Sequence, residues 1–287
     1  MSRRGAEARS LSASFSVRLR ACAPVRLRAA GNVVRIVGPY DAQHPDPRPS
    51  RHQQTTVKTV LTGRTEAHLC SPAGAERLGA RVHGDVVEPF MALRDAAAHA
   101  GFDLRILSGF RAFDEQLAIW NRKATGQRAV LDSEAVPLDI TTLSPRDLVF
   151  AILRWSALPG ASRHHWGTDL DVYDERARPE GYEVDLIPAE VNPGGMFGPL
   201  HAWLDERMAA GTAFGFYRPY DRDRGGVAPE RWHLSHGPTA ESLLAGLTPD
   251  LLRETIRAAD MRLTDVVLDH LDEIVARFVV NINRPHP

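Results

Sequence analysis

The stretch Ser162-Arg163-His164-His165-Trp166-Gly167-Thr168-Asp169-Leu170-Asp171-Val172-Tyr173 decides the fold of this 287-residue chain. Its first half is a loop of imidazole, guanidinium and indole. From Thr168 polar and apolar residues alternate, as on a half-buried strand, so Asp169 and Asp171 share one face. Upstream, residues 104–107 read as a short strand that delivers Ser108-Gly109-Phe110-Arg111 into a turn. Phe113, Leu117 and Trp120 then mark the buried side of a helix closing near Gly126. Earlier still, Asp85 is placed to cap a helix whose stripe is Val86, Phe90, Leu93 and Ala97, ended by Gly101. Ser144-Pro145 predicts a cap and first helical residue for a helix through Leu148, Ile152 and Trp155.

Downstream, a helix is expected over 199–210 with Leu200, Trp203, Leu204 and Met208 inward. Strands are expected over 214–217 and 231–234. From Thr248 helical period resumes, with Leu252, Ile256, Leu263, Val267, Leu271, Ile274 and Phe278 as packing positions. This mixed order of strands and helices fits an α+β domain.

Composition narrows the function classes. Hydrophobic residues at 43% and charged residues at 25% are ordinary globular usage, which excludes wholesale disorder. Lys and Arg total 35 against 36 Asp and Glu, so no global basic surface draws the chain to nucleic acid. No apolar run reaches the length that spans a bilayer. Two cysteines, Cys22 and Cys70, support neither a disulfide framework nor a Cys-based metal site. Residues 1–64 form an Arg- and Pro-rich arm with no packed-core pattern. Between Leu11 and Ala30 repeated Arg and Ser interrupt the apolar run that an export signal needs, and no chemistry is assigned there. A domain over 65–240 and a helical extension over 241–287 follow.

Among the 12 histidines, His164 and His233 with Asp171 offer two imidazoles and one carboxylate. Three such ligands suit a catalytic zinc, because the fourth tetrahedral position stays open to water. Glu230, three residues before His233, could act as base toward that water. Spacing alone leaves His165 and Asp169 as substitutes for His164 and Asp171. Glu230 and His233 also could not face one site from a regular strand; Pro229 suggests that Glu230 sits at the irregular strand entry. Trp232 is expected in the core. Arg111 alone reads most simply as pairing with Asp114 or Glu115.

Ser162-x-His164-x-x-Gly167-x-x-x-Asp171, followed by Glu230-x-Trp232-His233, resembles the paired signature of the VanY-like zinc D-alanyl-D-alanine carboxypeptidases. Ser108-Gly109-Phe110-Arg111 with Gln116 is similar to the family's upstream segment, and the likeness spans about residues 65–238. It implies a hedgehog/DD-peptidase-like fold with a small, mostly antiparallel sheet flanked by helices. It implies one zinc ion on His164, Asp171 and His233, Glu230 as catalytic base, and Arg111 on the carbonyl oxygen or the substrate carboxylate. Ser108, Gln116 and Ser162 become further substrate-binding residues. The substrate class it implies is the bacterial peptidoglycan stem peptide or its precursor, with release of terminal D-alanine, and the cell envelope as the place of action, with a cytoplasmic role left open by the interrupted apolar run. An endopeptidase of the same chemistry and a noncatalytic zinc-stabilised binding module are the competing readings. Asp169, Trp166 and His236 depart from the family's usual residues, and Asp169 is expected either to steer a diamino acid or to hydrogen-bond the His164 loop.

Overall fold

The computed structural model describes residues 57–285. Most of the arm expected over 1–64, and Cys22 with it, lies outside the described residues.

Four short strands form one sheet: β1 (Leu104–Ser108), β2 (Asp169–Asp174), β3 (Phe216–Tyr217) and β4 (His233–His236). Their spatial order is β1-β2-β4-β3 and every neighbouring pair is antiparallel. Helices flank the sheet, so the expected α+β class with a small antiparallel sheet holds. Alternation along the strands sorts the two faces. Leu170 and Val172 of β2 and Leu234 of β4 enter one apolar cluster with Phe90, Leu93, Leu200 and Leu204 from the helices Val87–His99 and Gly198–Ala209. The opposite face carries Asp169, Asp171, His233 and Ser235, with Asp169 facing Ser235 and Asp171 facing His233 across β2 and β4.

Local signals explain most boundaries. Ser144 caps the helix Pro145–Trp155 by accepting the Asp147 N–H. Asp85 does not cap. A 3-10 turn, Gly84–Val86, intervenes, and its cap is His83, whose Nδ1 accepts the Asp85 N–H; the helix therefore begins at Val87. The strand expected over 214–217 shrinks to β3, because Phe214 and Gly215 both take positive φ and turn the chain before it pairs. The strand expected over 231–234 moves to 233–236, since Arg231 and Trp232 lie in a turn.

A second cluster joins Trp120, Val149, Ile152 and Trp166 to Leu252, Ile256, Val267, Leu271 and Ile274. The C-terminal helices thus share a core with the 113–166 region. Leu263 is the outlier: it is only partly buried and carries φ 63° at the start of the helix Thr264–Asp269. Leu61, on a helical turn at 57–61, also belongs to this core, and its carbonyl accepts the Trp166 indole N–H at 3.0 Å. A buried indole needs such an acceptor, and this one ties residues before 65 to the chemistry-bearing loop.

His68 gives the fold a pH limit. Its Nε2 donates to the His165 carbonyl at 3.1 Å and its Nδ1 is buried without a partner. Burial, with the neighbouring His83 second, pushes its pKa from 6.5 down to about 4. Between those values the unfolded chain binds more protons than the folded one, so stability is full above pH 6.5 and is lost as pH falls toward 4. Urea midpoints at pH 7 and pH 5 should therefore separate more in the parent than in His68→Gln. Equal separations would show that His68 contributes nothing to acid lability.

Candidate active site

Strand register builds the site. Asp171 stands opposite Ser108 on one side and His233 on the other, so one row crosses three strands; a bulge at the end of β1 brings Ser108 into that row. Asp169, Ser235 and Tyr217 form a second row behind it. His164 comes from the 3-10 turn Arg163–Trp166, closed by Gly167 at φ 65°. A Cβ on Gly167 would lie 2.6 Å from the His83 backbone nitrogen, so a larger residue could not close the turn there.

The donor atoms converge. His164 Nδ1 donates to the Gly109 carbonyl at 2.8 Å, which leaves Nε2 directed at Asp171 Oδ2, 3.3 Å away. A Cβ on Gly109 would sit 2.4 Å from the Arg81 carbonyl oxygen, so a larger residue could not hold this stretch of chain in place. His233 Nδ1 lies 3.3 Å from Asp171 Oδ1 and 3.3 Å from Glu230 Oε2. Its Nε2 donates to Asp169 Oδ1 at 3.0 Å. His164, Asp171 and His233, all buried, each offer one ligand atom within 4.8 Å of the others. Glu230 reaches the group from outside the strand, where the His233 N–H donates back to the Glu230 carbonyl across the Arg231–Trp232 turn. The two residues therefore meet without sharing a regular strand.

The electrostatics call for a cation. Burial disfavours a charged His233, yet the hydrogen bonds that its ring donates to Asp169, Asp171 and Glu230 outweigh it and hold its pKa well above 6.5. Burial likewise works against the Asp171 carboxylate, but His164 and His233 keep it ionised far below the usual range. Two neutral imidazole nitrogens and a carboxylate are the donor set that a divalent zinc takes, and the surrounding acids supply charge to match it. The residues fit the ion.

Asp169 stands behind that set. It is fully buried and accepts from Arg163 Nε at 2.7 Å, Thr168 Oγ1 at 2.7 Å and Ser235 Oγ at 3.1 Å, besides His233. Arg163 also donates to Ser235 Oγ at 2.6 Å and the Tyr217 hydroxyl at 3.2 Å, so one guanidinium spans the second row. Of the two readings left open for Asp169, the geometry shows the hydrogen bonds to the His164 loop, through Arg163 and Thr168, and adds His233 as a partner that the sequence did not suggest.

His165 is excluded from the donor group. Its Nδ1 donates to the Arg111 carbonyl at 2.7 Å and its Nε2 accepts the Gly160 N–H at 3.1 Å. His236 shares the apolar side of β4 with Leu234, and its Nδ1 meets Thr239 Oγ1 at 2.9 Å. Arg111 pairs with neither Asp114 nor Glu115. Its guanidinium donates to Gln116 Oε1 at 3.0 Å and Ser108 Oγ at 3.1 Å, and Gln116 is anchored in turn on the Ala157 carbonyl. Arg111, Ser162, His164, Asp171, Glu230 and His233 line one cavity of about 250 Å³. Ser108 and Gln116 act on that cavity only through Arg111. Trp232 is buried with Val191 and Phe197, as expected, and stacks on Trp155 with ring centroids 6.4 Å apart.

Sequence reasoning missed three residues that matter here. The sequence assigns Arg163 no role. Tyr220, whose ring lies 5.0 Å from His233, lines the cavity, and burial pushes its phenol up to about 12, so it stays protonated. Lys123 lines the same cavity from the helix Phe113–Ala124.

A buried two-imidazole, one-carboxylate group with a further carboxylate beside it, opening into a cavity on a small antiparallel sheet, is a donor set that can hold a divalent metal at a site open to small molecules. Residues 79–239 match the family model VanY, D-alanyl-D-alanine carboxypeptidase. An uncharacterized protein of Haemophilus influenzae (strain ATCC 51907 / DSM 11121 / KW20 / Rd) is 31% identical over 125 residues, 43% of this chain and 93% of that one. Among solved structures, VanYB in complex with D-alanine-D-alanine aligns at 20% identity with a TM-score of 0.41, covering 67% of this chain and 89% of that one. A VanY D,D-pentapeptidase variant in complex with Zn(II) aligns at 20% identity with a TM-score of 0.39, over 65% and 84%. The chain belongs to the VanY family of D-alanyl-D-alanine carboxypeptidases and is by class a peptidase. Among the described residues no helix is long and apolar enough to cross a membrane.

Proposed function

We propose that this protein is a zinc-dependent carboxypeptidase that removes the terminal D-alanine from peptidoglycan stem peptides or their precursors in the cell envelope. The observation that carries the reading is the convergence of His164 Nε2, His233 Nδ1 and the Asp171 carboxylate within 4.8 Å, with Glu230 Oε2 3.3 Å from His233 Nδ1. His164, Asp171 and His233 would hold one zinc ion, which when bound polarises a carbonyl and acidifies water.

The chain's own groups do the rest. Glu230 takes a proton from the attacking water at a carboxylate oxygen as the water oxygen bonds to the scissile carbonyl carbon. It then passes that proton to the amine nitrogen as the C–N bond breaks. Arg111, held flat by Gln116 and Ser108, offers paired N–H donors to the carbonyl oxygen or to the substrate's terminal carboxylate. Ser162 adds a neutral donor on the lining. Asp169 fixes His233 in the tautomer that leaves Nδ1 free as a ligand.

The test is metal removal. Purified protein should contain about one equivalent of zinc and release free D-alanine from a pentapeptide ending in D-Ala-D-Ala. A chelator should abolish turnover, and added zinc should restore it. Larger peptide fragments without free D-alanine would replace the carboxypeptidase by an endopeptidase. Bound zinc with no hydrolysis of any peptide would leave a noncatalytic module.

A further inference from the structure

The mechanism leaves one buried charge unused. On the helix Phe113–Ala124, Gln116 and Lys123 are seven residues apart and lie on one face, about 10.5 Å apart along the axis. Both ends of that face serve the cavity: Gln116 by holding Arg111 at 3.0 Å, and Lys123 as lining beside Ile119 and Arg128. Lys123 is only 5% exposed. Among the described residues it makes no hydrogen bond and no ion pair, even with Asp185 on the same lining. The acid whose charge does reach it is Glu230, the proposed base. Burial, and after it the charge of Arg128, pushes the Lys123 pKa down to about 8. The ammonium faces the cavity, largely withdrawn from bulk water and without a protein counter-ion, where an anion entering the cavity would meet it.

We infer that Lys123, with Arg128 beside it, is a second carboxylate-recognition site of the cavity, separate from Arg111, and that it makes the protein select peptides bearing a free carboxylate there. The inference rests on the reading that the cavity takes a peptide. An extended peptide advances about 3.3 Å per residue, so the distance along the helix corresponds to about three residues. The C-terminal carboxylate lies only one residue, about 3.3 Å, beyond the scissile carbonyl, too near for Lys123 at this spacing. Lys123 therefore meets the free carboxylate of an acidic residue upstream.

The test is binding, which needs no turnover. Calorimetry on the full-length, metal-free protein would compare an acylated peptide ending in D-Ala-D-Ala with its C-terminal amide. A second pair would carry an upstream glutamate with its carboxylate free or amidated. The parent should prefer the free carboxylate of the upstream pair by about 10- to 100-fold, and any preference in the C-terminal pair belongs to Arg111 and should persist in Lys123→Met. Lys123→Met should erase the upstream preference while leaving Tm close to that of the parent, because no protein partner of Lys123 is lost. Lys123→Arg should retain the preference, and Arg128→Gln, on the exposed side, should weaken it. A parent with no preference in the upstream pair, or a Lys123→Met protein that keeps the upstream ratio, overturns the inference. A ratio that follows Lys123 in a protein hydrolysing no peptide would sink the proposed activity and leave the recognition site standing.

Discussion

Glu230→Gln is expected to lower kcat for D-alanine release by about 10²- to 10⁴-fold while KM, zinc content and Tm stay close to those of the parent. The separation follows from where Glu230 sits. Its side chain is almost buried, and among the described residues its one ion-pair contact is His233 Nδ1, the atom proposed to be occupied by zinc. Once that nitrogen is a ligand it has no proton to share, and the carboxylate is free to take one from water. Glutamine keeps the shape and loses the basic lone pairs. The backbone bonds of residue 230, to the Tyr220 carbonyl and from the His233 N–H, do not depend on the side chain. Steady-state kinetics with metal analysis on the same preparation decide the matter. A kcat within about threefold of the parent would remove Glu230 from the proton path and leave Tyr220 as the remaining protonated group beside His233.

The outline of this site was legible because its parts are local. Strand alternation put Asp169 and Asp171 on one face, and register then did what alternation implied. Alternation could not choose between them. The choice depends on which carboxylate the neighbouring strands leave free, and Asp169 is consumed by Arg163, Thr168 and Ser235. His165 and His164 differ for a similar reason: the 3-10 turn aims one ring at Gly109 and Asp171 and the other at the backbone of Gly160 and Arg111. The Glu230–His233 spacing looked like an obstacle only while both were read on one strand.

Long-range partners were out of reach from pattern alone. Lys123 falls in a helical register that reads as a solvated cation near a C-terminus, and only the packing of the helix against the cavity buries it. The role of the C-terminal helices was hidden in the same way. Their apolar stripe was plain, but nothing in it specified that Ile256 and Ile274 would share a core with Trp120 and Trp166.

Asp169→Ala should act on stability and on metal binding through different partners, and a second variant separates the two. Arg163 and Asp169 are 3% and 0% exposed and meet at 2.7 Å, and removing one member of such a buried pair strands the other's charge. The single variant should lose about 3–5 kcal/mol of stability, read as a lowered urea midpoint. Arg163→Met combined with Asp169→Leu removes both charges and fills the space with apolar groups. It should recover most of that loss, since a buried pair exchanged for hydrophobic residues is often neutral. Metal affinity should not recover. In both proteins His233 Nε2 has lost its acceptor, so nothing fixes the tautomer that presents Nδ1, and zinc affinity by competition with a chromophoric chelator should fall about 10- to 100-fold. A double variant that regains both stability and affinity would mean that Asp169 serves the fold alone and that Asp171 and Glu230 orient His233 without it. One that regains neither would mean that Arg163 is needed for more than its pairing with Asp169, through its bonds to Ser235 and Tyr217 that tie β3 to the site.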